Sequence, residues 1–154
     1  MPQVAAPGQL RFHQADMGNK GAMRAAFSAN SGRAVDTVIH FAAIAFVGEV
    51  CGRRRARVAG APLSPRFQSY ANPLLYYRNV TANTLQLLEV MREFRVSRLV
   101  YSSSCATYGN AERMPITEST PQRPVSPYGT SKLQAERLII DNTVSSVLPC
   151  SDAP

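Results

Sequence analysis

The sequence predicts an α/β fold built on a parallel sheet, and three observations predict it. Strand-type segments alternate with segments of helical spacing, in the order strand, helix, strand, helix, strand, helix. One of the strand segments, DTVIHFAA (Asp36 to Ala43), is a continuous β-branched and apolar run of the kind buried on both faces. With 154 residues, 45% of them hydrophobic, the chain has material for one domain and one core.

The elements follow in order. Leu10 to Ala15 reads as a short strand ending at Asp16. Asn19 is placed to cap a helix through Met23, Ala26 and Phe27, with Gly32 as its stop signal. The strand Asp36 to Ala43 comes next. Pro73 suits the first turn of a long helix, supported by Leu75, Val80, Leu85, Leu88 and Met91 to about Phe94. Ser97 to Ser103 is the third strand. Ser104 to Pro127 is a loop carrying four prolines. Tyr128 to about Asp141 is a helix with Leu133, Leu138 and Ile139 on its apolar side. Right-handed crossovers bring the strand ends, and any ligand, to one edge.

Composition excludes several classes. No apolar run approaches the ~18 residues that a membrane span requires. The first ten residues show no secretory pattern. Cys51, Cys105 and Cys150 match neither a metal-ligand spacing nor a disulfide framework, and a reduced, cytoplasmic setting is the default expectation. The net charge of +7 is local. Residues 50–68 hold Arg53, Arg54, Arg55, Arg57 and Arg66 and no acid; without them the chain has 12 basic and 10 acidic side chains. That segment has no periodicity and is expected to be a disordered basic insert. It lacks the interleaved aromatics of a nucleic-acid module. Ser102, Ser103 and Ser104 have no G-x-S-x-G setting for a hydrolase nucleophile. His13 and His40 both fall in expected strands and read as core or edge histidines.

The chemistry concentrates on Tyr128 and Lys132, a Y-x-x-x-K pair at a helix start. Residues four apart share one helix face. A free phenol has a pKa near ~10 and is a poor base at neutral pH. A fixed ammonium nearby favours the phenolate, which can then take a proton from a hydroxyl. Taken alone, the pair reads more readily as a half-buried tyrosine and a surface lysine. Its context is more specific. YSSSCATYG (Tyr101 to Gly109) stands at a strand end, where an α/β sheet places ligand contacts, and MPITEST and SPYGTSK follow it.

The series HFAAIAFVGE (His40 to Glu49), PLLYYRN (Pro73 to Asn79), YSSSCATYG and SPYGTSK resembles the NAD-dependent UDP-sugar 4-epimerases. These are extended short-chain dehydrogenase/reductase proteins that include UDP-glucose and UDP-arabinose 4-epimerases. GQLRFHQADMGN (Gly8 to Asn19) and the two alanines of HFAA look most like the plant UDP-arabinose branch. The resemblance implies a doubly wound, Rossmann-like parallel sheet. It assigns Asp16, with Met17, to the adenine end of NAD, and Phe41, Ala42 and Ala43 to the strand end beside the cofactor. Asn79 matches the helix asparagine near the nicotinamide. Ser104 matches the hydroxyl bonding the sugar oxygen, Tyr128 the base, and Lys132 the ribose-binding cation. Ala45 departs from the members that place a lysine there. Cys105 and Ala106 stand where the related 4,6-dehydratases carry an acid and a base, so elimination chemistry is not expected. What remains is 4-epimerisation of a UDP-sugar by transient oxidation at C4, with NAD retained.

Against the family pattern, these residues contain no G-x-x-G-x-x-G loop to hold the pyrophosphate. The expectation is therefore a partial cofactor domain over residues 7–141, missing the first βαβ unit and the C-terminal substrate domain, with a disordered tail over 142–154. Gly48-Glu49 would join Ser69-Tyr70 smoothly without residues 50–68, as an in-frame insertion would leave them. Impaired activity is expected of such a chain. A non-catalytic interaction fragment and a sugar-nucleotide dehydrogenase are the alternatives. The resemblance implies a UDP-sugar partner, leaves a homodimer open for the parent enzyme, and admits a Golgi setting for a UDP-arabinose branch member.

Overall fold

The computed structural model describes residues 11–29, 34–44 and 69–147. The elements are α1 (Lys20–Ser28), β1 (Thr37–His40), α2 (Pro73–Tyr76), a π-helical segment (Tyr77–Ala82), α3 (Asn83–Glu93), β2 (Arg98–Tyr101), a 3-10 turn (Cys105–Thr107) and α4 (Pro127–Val147). β1 and β2 run parallel with Val38 opposite Leu99 and His40 opposite Tyr101. The α/β class with a parallel sheet is thus present.

The caps explain the helix starts. Asn19 Oδ1 accepts from Ala22 N at 3.0 Å, as its position predicts. Pro73 occupies the first turn of α2 behind the Asn72 cap. Ser126 Oγ accepts from Gly129 N at 3.1 Å and opens α4. The end of α3 carries no glycine. Instead Arg95 takes a left-handed φ of 57°, while Val96 N bonds Met91 O at 2.8 Å and Arg95 N bonds Arg92 O at 3.1 Å. This is a Schellman closure, and the apolar Val96–Met91 pair belonging to it is part of the core.

That core holds Met23, Leu87, Leu88, Val90, Met91 and Val96, with Val38, Leu99, Leu138 and Ile139 packed against it. Each such buried aliphatic side chain is worth roughly 1.5–3 kcal/mol relative to exposure. The core lies on one face of the sheet. On the other face Ile39 and Val100, opposite each other in the ladder, are 60% and 53% exposed.

Three expectations change. Residues 11–16 form no strand, because no described strand runs beside them to complete a ladder; His13 accordingly sits exposed in an irregular segment. The long helix is interrupted by the π-helical turn at Tyr77–Ala82. α4 continues past Asp141 to Val147, so the change of composition at Asn142 is not a helix end. Gly32, Ala45 and the arginine-rich segment 50–68 lie outside the described residues, as do 148–154.

Candidate functional site

The C-terminal end of β2 delivers Tyr101, Ser102, Ser103 and Ser104 toward the start of α4. Two glycines make the close packing there possible. A Cβ on Gly129 would lie 2.4 Å from Ala106 O, so only glycine lets the first turn of α4 rest on the 3-10 turn. Gly109 has a φ of +64°, and a Cβ on it would meet Arg123 O. Ser104 caps the 3-10 turn; its Oγ accepts from Ala106 N at 3.2 Å.

Lys132 is only 4% exposed. Its Nζ donates to Ser102 O at 3.0 Å and sits 4.8 Å from the centre of the Tyr101 ring. Burial pulls the Lys132 pKa down, and the Glu136 carboxylate acts against that. His40, buried at the end of β1, faces the Tyr101 ring at 5.4 Å. Burial first, and Lys132 second, push its pKa down, so it belongs to this site as a neutral core group. Tyr101 is driven strongly upward, first by burial and then by Glu136 and Tyr128, with Thr84 acting the other way. Its phenol lacks a hydrogen-bond partner of normal geometry. Tyr128 is half-buried, and its ring stands edge-on to Tyr76 at 6.0 Å. No described hydrogen bond joins Lys132 to Tyr128.

The other expected residues gather elsewhere. Asp16, Met17, Ala42, Ala43 and Asn79 line one open cleft of 780 Å³, together with Gln14, Ala15, Ile44 and Asn83. Asp16 Oδ1 accepts from Gly18 N at 2.8 Å, which turns the chain into α1. Asn79 Oδ1 accepts from Ile44 N at 2.6 Å and fixes the chain just beyond β1. The structure therefore brings together every expected cofactor residue of the cleft except Phe41, which is outside the lining and 72% exposed. The π-helical segment joins the two regions. It carries Asn79 toward the cleft, while Thr81 Oγ1 donates to Ser131 O of α4 at 3.1 Å. Such turns often mark functional positions. A separate hollow of 530 Å³ within the proline loop contains none of the expected site residues.

Sequence reasoning missed Glu136, Gln122 and Ser103. Ser103 Oγ donates to Glu136 Oε1, and Gln122 Nε2 donates to Glu136 Oε2 at 2.7 Å. The one sequence signal for Glu136 is its position one helical turn beyond Lys132.

The profile of the GDP-mannose 4,6 dehydratase family matches residues 63–152. A putative UDP-arabinose 4-epimerase of Arabidopsis thaliana is 46% identical over 142 residues, covering 92% of this chain and 29% of the relative. The chain belongs to the NAD-dependent UDP-sugar 4-epimerase family. A UDP-glucose 4-epimerase of Streptococcus mutans is 41% identical over 129 residues, covering 84% of this chain and 32% of that protein. Among solved structures, the UDP-glucose 4-epimerase of Bifidobacterium longum, in complex with NAD+ and UDP, superposes with a TM-score of 0.67 at 35% identity. That match covers 85% of this chain and 33% of the other. The chain thus spans about a third of the length of the family members it matches. Among the described residues, no helix is long and apolar enough to cross a membrane.

Proposed function

We propose that this chain carries the catalytic residues of an NAD-dependent 4-epimerase acting on a UDP-sugar, with the glucose/galactose and arabinose/xylose pairs as the candidate substrates. The buried Lys132 at the end of β2 carries the reading. An ammonium has three donors, and Ser102 O accepts from one of them. The remaining two are available to the nicotinamide ribose hydroxyls, at the strand edge where α/β sheets receive ligands.

The cleft residues also suit NAD. Ala42 and Ala43 keep the strand end free of bulk, and Asp16 offers a carboxylate to the adenine end. Asn79 stands on the nicotinamide side. NAD, when bound, supplies hydride acceptance and return at the sugar C4. The protein groups handle binding and the proton. Ser104 holds the C4 oxygen by hydrogen bonding. Tyr128 takes the proton of that hydroxyl and returns it. Cys105 and Ala106 bring no carboxyl group to the turn after Ser104, which favours epimerisation over loss of water.

The test is interconversion of UDP-galactose with UDP-glucose, and of UDP-arabinose with UDP-xylose, by the protein bearing these residues. Tyr128→Phe is expected to lower kcat by roughly 10²–10⁴-fold, the span of general acid–base catalysis, while bound NAD is retained. Stoichiometric release of NADH in place of interconversion would mark a dehydrogenase and sink the proposal. So would an unaltered rate in Tyr128→Phe.

A further inference from the structure

We propose that Glu136 is a positioning residue for Lys132: a carboxylate locked in place by Ser103 and Gln122 that holds the buried ammonium charged and fixed on the end of β2. The inference builds on the reading of Lys132 as the ribose-binding cation, but its physical content concerns the protein alone.

Three observations support it. First, Glu136 is tied on both oxygens. Ser103 donates to Oε1 from the β2 end, and Gln122 donates to Oε2 at 2.7 Å from the proline loop. Gln122 also reaches Thr107 Oγ1 at 3.3 Å, which links the clamp to the 3-10 turn after Ser104. Two donors from different segments fix the position of the carboxylate. Second, Lys132 needs a counter-charge. It is almost fully buried, and a lone ammonium there is driven toward the neutral amine. Third, among the described residues Glu136 is the carboxylate that lies one helical turn from Lys132 on α4 and acts on it. The other titratable groups around the site are Tyr101 from β2, His40 from β1, Tyr128 from α4 itself and Tyr76 from α2. None of these is a carboxylate, and burial favours the protonated phenols of Tyr101 and Tyr76 and the neutral ring of His40.

Glu136 makes no ion pair with Lys132 within 4.0 Å; both its oxygens face other donors. Its influence is therefore a field across one helical turn, strengthened by the low dielectric around the buried amine. The clamp joins β2, the loop and α4, so Ser103 and Gln122 set where the carboxylate stands relative to Lys132.

The two lysines of the chain make the test direct. In protein labelled with ¹⁵N at the lysine Nζ, Lys20→Arg assigns the two resonances. Each is then titrated in the absence of NAD. Glu136→Gln keeps the size of the side chain and removes its charge. Lys132 is expected to titrate at lower pH in this variant, while Lys20 on α1 does not move and reports an intact fold. Glu136→Asp keeps the charge and is expected to recover part of the native behaviour. If Glu136→Gln fails to fold, Ser103→Ala frees one carboxylate oxygen and is expected to lower the Lys132 midpoint by a smaller step. An unmoved Lys132 midpoint in the folded Gln variant, or in Ser103→Ala, overturns the proposal. Failure of the epimerase reading would appear instead as absent sugar interconversion, with this titration unaffected.

Discussion

The two halves of the candidate site are built differently. The catalytic end is dry: Lys132 and His40 are buried, Gly129 lies flush on Ala106 O, and Glu136 is tied to two other segments. The cleft is open, and its walls are irregular segments flanking α1 and β1 together with the π-helical turn. The first region is held by several ties between the end of β2, the loop and α4, among them Lys132 to Ser102 O, Ser103 to Glu136 and Gln122 to Glu136. The cleft needs residues 14–17, 42–44 and 79–83 to converge, and one hydrogen bond, Asn79 to Ile44 N, anchors the meeting point. The first region thus rests on several side-chain ties, while one hydrogen bond anchors the meeting point of the open cleft.

Substitutions can break this contrast selectively. Leu88→Ala, in the core shared by both regions, is expected to cost about 2–5 kcal/mol. Chemical denaturation gives the total. Hydrogen exchange should show both regions loosening together; protection lost at only one end would refute a common foundation. Gly129→Ala is expected to cost about 1–3 kcal/mol through overpacking against Ala106 O, with faster exchange confined to residues 104–109 and the start of α4. Unchanged thermal stability would show that the close approach is not needed. Asn79→Ala removes one hydrogen bond and is expected to cost about 0.5–1.5 kcal/mol. It should weaken NAD binding in calorimetry more than it alters the Lys132 titration; the reverse order would contradict the division drawn between the two regions.

The smallest effect concerns α1, which follows directly on the Asp16–Met17 wall of the cleft. Arg24 first, then Lys20, pull the Glu93 carboxyl down to about 2 from 4.5. A depressed folded-state pKa means the stabilisation is complete above the unfolded value and is lost as pH falls from about 4.5 through about 2. The groups lie at the surface in contact with solvent, so salt should screen the effect. Acid titration followed at α1 amides should show α1 loosening in that window at low ionic strength, and less so at high salt. Loosening that begins above pH 6 would point to a different group.

Much of this was legible in the chain. Asn19 and Pro73 mark helix starts because the side chain of one and the ring of the other suit the local backbone, whatever surrounds them. The strands β1 and β2 are visible as apolar runs, and the order of the YSSSCATYG and SPYGTSK segments points to Ser104, Tyr128 and Lys132. The expected strand before Asp16 was lost because a strand exists only through a neighbour, which local propensity does not supply. The π-helical turn, the glycine contact on Ala106 and the stop at Arg95 depend on what packs against them, so composition gave no sign of them. Sequence alone singled out the candidate residues through the order of their motifs, and marked where α1 and α2 begin, since capping depends on side-chain type and nearest neighbours. Tertiary structure decided that Lys132 is buried, that Glu136 is tied to Ser103 and Gln122, and that Phe41 stands apart from the cleft. Burial, field and enclosure arise only when distant segments exclude water together.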